Sequence, residues 1–210
     1  MEKIKKLRNQ LNKYNLDGYL VPKNNEYFNE YIRFNEDDLR YITNFSGSFG
    51  LALICKKKNY LFVDGRYTIQ ANDQSGKFFK ILTLPFSKKK YFYNFKNKRI
   101  GFDPNLFNEQ TIKLFSKYLN TNLIAININL IKLIKNKSKG LIKKSFFYAL
   151  DKSVVGRSFK AKLNDLKKYL NKNLIDVMLI TSSENVAWLL NIRGNDSDYS
   201  PIPNSFLLID

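Results

Sequence analysis

The sequence contains no histidine, and that absence removes a large share of hydrolytic chemistry. Without an imidazole, no Ser-His or Cys-His nucleophile pair can be assembled. Cys55 is the single cysteine, which excludes an internal disulfide and falls short of the four nitrogen or sulfur ligands of a structural zinc centre. Its thiol is expected to fill core space. Acidic residues are scarce, 18 against 36 basic ones, and no paired-carboxylate spacing for acid–base work stands out among them. No apolar run approaches the roughly 18 residues needed to span a membrane. The start, Met1 through Lys6, leads into a charged amphipathic stretch with no apolar signal core or small-residue cleavage site. A cytoplasmic location with no membrane partner is the expectation.

Apolar residues are plentiful. They make up 44% of the 210 residues, with 17 Phe and 13 Tyr, enough to bury a core in one or two domains of ordinary size. The net charge of +18 proposes an anionic partner such as nucleic acid. Most of the excess is lysine, however, and it is dispersed. Lys56–Lys58 and Lys88–Lys90 fall at expected turns, and Lys160, Lys162, Lys167 and Lys168 decorate the expected polar side of a helix. A nucleic-acid groove concentrates arginine and interleaved aromatics on one element, so solvated lysine is the preferred reading and a nucleic-acid partner the poorer one.

The chain repeats itself in outline. Ile4, Leu7, Leu11 and Tyr14 recur at helical spacing, Asp17-Gly18 breaks the pattern, and the apolar run 19–21 reads as a strand. Much later Phe159, Leu163, Leu166 and Leu170 form a similar stripe, interrupted at 171–173 before the run 177–180. A second short helix follows in each case, 38–43 and 184–190, then a strand, 51–54 and 206–209. Such duplication points to two related α/β modules. The first continues through strands at 60–63, 78–82 and 100–103 and a helix at 108–119; the second stops at Asp210. The expected organisation is a first domain over 1–145 and an incomplete second over 155–210, bordered between Lys137 and Arg157. The last strand is expected to lack a neighbour that its counterpart possesses.

Four separated blocks carry a resemblance to a known family. They are Asp17 to Pro22 with Glu30-Tyr31, Leu39 to Gly50, Val63 to Ala71, and Asn185 to Asp196 continued by Pro201 and Pro203. In this order they resemble the creatinase/prolidase N-terminal domains of three-domain Xaa-Pro aminopeptidases, with smaller echoes at 100–104 and 156–158. The resemblance implies an α/β fold with a mixed sheet flanked by helices, followed by the start of a second copy. It further implies a peptidase removing an N-terminal residue that precedes proline. Two manganese ions, held by Asp, Glu and His, belong to a C-terminal catalytic domain of such enzymes and not to this stretch. The partners it implies are that catalytic domain, proline-containing peptides and a possible homodimer. Tyr27 stands where many relatives carry His, and the match is loose around 197–199. A non-catalytic scaffold of the same fold and a basic nucleic-acid-binding protein remain as other function classes.

Three residues are candidates for facing substrate or an interface: Asp64, Arg66 and Arg193. In Asp64-Gly65-Arg66-Tyr67 the arginine, at a helix start, could offer a fork of donors to a substrate carboxylate. Asp64 could instead cap the following helix and pair with Arg66, holding the corner, and this is preferred. Arg193 follows a helix end, where it can complement the dipole or face substrate. Trp188 is expected to pack in the core. Ser46 to Gly50 is glycine-rich, but it follows a helix and precedes a strand, the reverse of a phosphate cradle, so a tight turn is expected.

Overall fold

Ile4, Leu7 and Leu11 are buried on one stripe of α1 (Glu2–Lys13), and a strand follows directly, β1 (Gly18–Pro22), with every residue buried. The computed structural model describes residues 2–85, 95–135 and 145–210. The lysine run at 88–90 and positions 137–144 of the expected border lie outside the described residues. The chain forms two units, Met1–Glu26 with Phe34–Lys139, and Tyr27–Arg33 with Gly140–Asp210.

In the first unit α2 (Asp38–Thr43), β2 (Leu51–Cys55), β3 (Asn59–Asp64), α3 (Thr68–Ser75) and β4 (Lys80–Leu84) follow in order. Then come β5 (Ile100–Phe102), α4 (Glu109–Leu119), β6 (Leu123–Ala125) and α5 (Leu130–Ile134). The strands make one mixed sheet in the order β4-β3-β2-β1-β5-β6. β1 runs antiparallel to β2, as does β2 to β3, while the β1/β5, β3/β4 and β5/β6 pairs are parallel.

Side chains alternate across a strand, and here both faces are covered. Tyr19, Val21, Ala52, Ile54, Leu61 and Val63 join a core with α1, α2 and α5. Leu20, Leu51, Leu53 and Phe62 join a second core with Phe115 and Leu119 of α4. Each fully buried Leu, Val or Phe contributes about 1.5–3 kcal/mol, so the apolar runs in β1–β3 are what a doubly covered sheet requires. Gly101 marks a close approach, since a Cβ there would lie 2.7 Å from Leu16 Cδ1.

Helix α2 is fixed by its ends. Asp37 caps it, accepting the Arg40 N–H at 2.9 Å, and Asn44 closes it in the left-handed region at φ 66°. The two buried carboxylates there are compensated. Lys23 pairs with Asp37, while Asp38 meets Lys135 and accepts Asn129 Nδ2 at 2.8 Å. Strand β4 starts two residues later than the run of apolar residues implies, because Phe78 and Phe79 both donate their N–H to Ser75 O and extend the turn after α3.

The second unit contains β7 (Phe147–Ala149), α6 (Phe159–Lys172), β8 (Met178–Ile180), α7 (Ser183–Leu190), β9 (Ile192–Gly194) and β10 (Leu207–Ile209). β8 pairs antiparallel with β10, and β7 with β9. The helix–strand–helix–strand order of the first unit therefore recurs. Two expectations fail here. Trp188 is 60% exposed, because α7 turns Val186, Ala187 and Leu189 inward and leaves the indole on its outer side. Lys162 is not on a solvated face but buried, drawn inward by oxygen acceptors at the end of α7. Of the expected α6 stripe, Leu170 is buried and Phe159 is exposed.

Amide exchange should divide the chain accordingly. The three-residue ladders of β8/β10 and β7/β9 expose Phe147, Leu179 and Leu208, whereas β1–β3 are sealed on both faces. Hydrogen-exchange mass spectrometry should find residues 157–210 exchanging faster than the described residues before 140. Equal protection in both would contradict this account of the second unit.

Candidate functional site

The first candidate lies where β3 ends. Asp64 is extended (φ −81°, ψ 173°) and caps a 3-10 turn, Gly65–Tyr67, that leads into α3. Its Oδ1 accepts the Arg66 N–H at 2.9 Å and Nε at 3.2 Å, and its Oδ2 accepts Nη2 at 2.7 Å. The guanidinium fork therefore closes on the carboxylate two residues away, with Tyr67 stacked below it at 5.2 Å. The hydrogen bond from the Arg66 side chain holds the Asp64 carboxyl below the ordinary aspartate range.

The same corner gathers a second stretch. Tyr67 meets Phe45 edge-on, with centroids 5.7 Å apart, and its hydroxyl is 2.9 Å from Ser48 Oγ. Gly47 lies beneath these rings, where a Cβ would come within 2.3 Å of Phe45 Cζ and 2.8 Å of Tyr67 Cδ1. Ser46 donates its N–H to Gln74 Oε1 at 2.8 Å. The glycine-rich stretch runs from α2 into β2, and its donors and space are used by α3 and the corner.

Arg193 belongs to the second unit, at the C-terminal end of α7. There Asn191 adopts the left-handed region at φ 53° and closes the helix. Arg193 Nη1 donates to Ile192 O at 2.8 Å and to Ala187 O at 3.5 Å. Lys162 reaches the same end from α6, donating to Trp188 O at 2.5 Å and Asn191 Oδ1 at 2.6 Å while its ammonium lies 4.2 Å from the indole centroid. Two cations thus meet the negative end of a helix and its last carbonyls, Ala187 O and Trp188 O, which also accept the Asn191 N–H. Desolvation, with the charges of Arg193 and Arg157, pushes the Lys162 amine below its ordinary range.

A further group was not singled out from the sequence. Arg33 donates to Asn195 O and faces Asp196 Oδ1 at 3.8 Å, both side chains being largely shielded. Asp196 Oδ2 accepts the Asn204 N–H at 2.8 Å. Tyr27 packs on Phe206 at 4.9 Å, and Tyr31 lies edge-on to Tyr199 at 6.1 Å. Tyr27 and Tyr199 are thus both built into aromatic contacts of this unit. The only signal in the sequence was the rarity of arginine, seven against 29 lysines.

Cys55 is partly buried, and burial pushes its thiol up to about 12, so it is an unreactive thiol at neutral pH. Among the described residues, no group of three or more His, Cys, Asp or Glu could hold a metal ion. No helix among them is long and apolar enough to cross a membrane.

Comparison with known proteins follows the two units. Residues 3–130 and 142–210 each match a profile described as Creatinase/Prolidase N-terminal domain. A probable Xaa-Pro aminopeptidase P of Laccaria bicolor is 29% identical over 96% of the chain, and human Xaa-Pro aminopeptidase 2 is 28% identical over 97%. The chain spans about a third of the length of these curated relatives, 33% and 32%. The crystal structure of an X-prolyl aminopeptidase from Caenorhabditis elegans, described as a cytosolic enzyme with a di-nuclear active site, superposes with a TM-score of 0.84. It is 25% identical, and the match covers 99% of this chain and 37% of that one.

Two substitutions probe the clusters. In Arg66→Gln the Asp64 carboxyl should titrate closer to the ordinary aspartate value, about 3.9, by carbon-detected NMR. Because its folded pKa is lowered, the Asp64 contribution to stability is present above that ordinary value. It is lost as pH falls through the folded one, so Arg66→Gln should flatten this acid dependence. Lys162→Met should destabilise the second unit by about 1–2 kcal/mol in urea titrations, since it removes charged donors from buried acceptors.

Proposed function

Because the chain belongs to the creatinase/prolidase N-terminal domain family, we propose that it is the non-catalytic N-terminal part of a metal-dependent Xaa-Pro aminopeptidase. The observation that carries this reading is the tandem of two family matches, 3–130 and 142–210, within relatives of that name that align along nearly the whole chain. The substrate class is a peptide whose second residue is proline. Its first residue is the one released.

Cleavage before proline needs polarisation of the scissile carbonyl and activation of water, which two manganese ions in a separate catalytic domain would supply. The sequence has no histidine to offer such ions, which supports locating their ligands outside these residues. What this region contributes is shape. The Asp64–Arg66 corner holds the end of β3 in one geometry, and in the second unit Lys162 with Arg193 holds the end of α7, so that each unit has a rigid element to offer the catalytic domain. A cytoplasmic location is part of the proposal, supported by the description of the C. elegans enzyme as cytosolic.

The polypeptide of the full reading frame, supplied with manganese(II), should release the first residue of an X-Pro-X peptide, and a chelator should abolish the release. The 210-residue chain alone should release none. Absence of metal-dependent release by the full polypeptide would instead favour a scaffold of the same fold. Release by the shorter chain would overturn the non-catalytic role.

A further inference from the structure

The lysine excess is uneven in the first unit. A groove of about 930 Å³ runs between the C-terminal half of α4, the turn entering β5, and β6. Lys96, Lys98, Arg99, Lys113 and Lys117 line it, all exposed, and among the described residues no acidic side chain does. Lys113 pairs with Glu109 at 2.6 Å, and Arg99 Nε donates to Asn15 O at 2.8 Å. Among the described residues, no carboxylate lies within ion-pair distance of Lys96, Lys98 or Lys117. Asp17 interacts electrostatically with Lys98, but five cations against that carboxylate and Glu109 leave an excess of positive charge that raises the local potential and favours an anionic occupant.

The groove has a second property. Among the described residues β6 is the edge of the sheet, with parallel pairing to β5 only. Ile126 turns its N–H inward to Phe102 O at 2.8 Å, so by the two-residue period of a strand the N–H and C=O groups of Leu123 and Ala125 face the open side. Ile112, Leu123 and Ile124 supply apolar floor between the cations. The framework is firm, because Thr121 Oγ1 donates to Lys98 O at 2.8 Å and Ser116 Oγ to Thr121 O at 2.7 Å.

We propose that this groove binds an extended acidic peptide segment, added as a strand to the free edge of β6 and selected by the surrounding lysines. Strand addition uses main-chain bonds for affinity and side-chain surroundings for specificity, and both are present. Single-stranded nucleic acid shares the charge, but its binding platforms stack bases on aromatic rings, and among the described residues no aromatic side chain lines this groove. Four of the five cations are lysines, point charges that suit flexibly placed carboxylates better than a fixed bidentate geometry.

Fluorescence anisotropy of the 210-residue chain with a labelled peptide of alternating Glu and Val tests this directly. Controls are the same peptide with Lys for Glu and an oligothymidine of equal charge. The acidic peptide should bind more tightly than either, and added salt should weaken it. Reversing three charges, Lys96→Glu with Lys98→Glu and Lys117→Glu, should weaken binding about tenfold or more. Ala125→Pro, which removes an outward N–H at an edge position that tolerates proline, should weaken the peptide while leaving the unfolding midpoint nearly unchanged. Equal binding of the Lys peptide, oligothymidine binding as tight or tighter, or unchanged affinity in the triple variant would overturn the proposal. Undiminished binding by a folded Ala125→Pro variant would overturn the strand-addition geometry.

Discussion

The structure depends on sealing one sheet from both sides. Every residue of β1 is buried, and neighbouring side chains along β1, β2 and β3 enter opposite cores. A slip of one residue would exchange the two faces, sending Tyr19 away from α5, whose Leu130 N–H it accepts at 3.4 Å. Register is thus set by packing on two sides at once. The Asp64 corner inherits its position from that register, because β3 must end where its last buried residue, Val63, meets the α1-side core.

Wherever a local rule coincided with the tertiary demand, the sequence was readable. The stripe on α1 and the apolar runs of β1–β3 follow from spacing within a few residues. β6, β7 and β9 were not anticipated, since each has three residues and owes its existence to a partner far along the chain. Trp188 and Lys162 were misplaced for a related reason. Hydrophobicity sends an indole inward and an ammonium outward, but the end of α7 offers oxygen acceptors that the Lys162 ammonium satisfies. The amine goes in, and the ring covers it from outside. Asp64 and Arg66 were legible as a pair, whereas Arg33 and Asp196, 163 positions apart, had no local pattern to join them.

The repeated order of elements does not carry an equal share of burial. β2 has β1 and β3 on either side, while β10 has β8 alone among the described residues. Leu20, which faces the α4 side, is almost wholly buried, but Leu179 on β8 is 60% exposed. The two modules share a plan and differ in how much neighbouring structure completes it.

The loop after β1 has a topological consequence. Tyr27–Arg33 leaves the first unit, becomes part of the second, and the chain then returns at Phe34. The polypeptide therefore passes between units three times, at 26/27, 33/34 and 139/140. A single cut near the last crossing would strip the second unit of its Tyr27 and Arg33 contacts while leaving those residues tethered to the first. The first unit is complete once the chain has reached residue 139, whereas the second draws on residues 27–33 that are made inside the first unit's span.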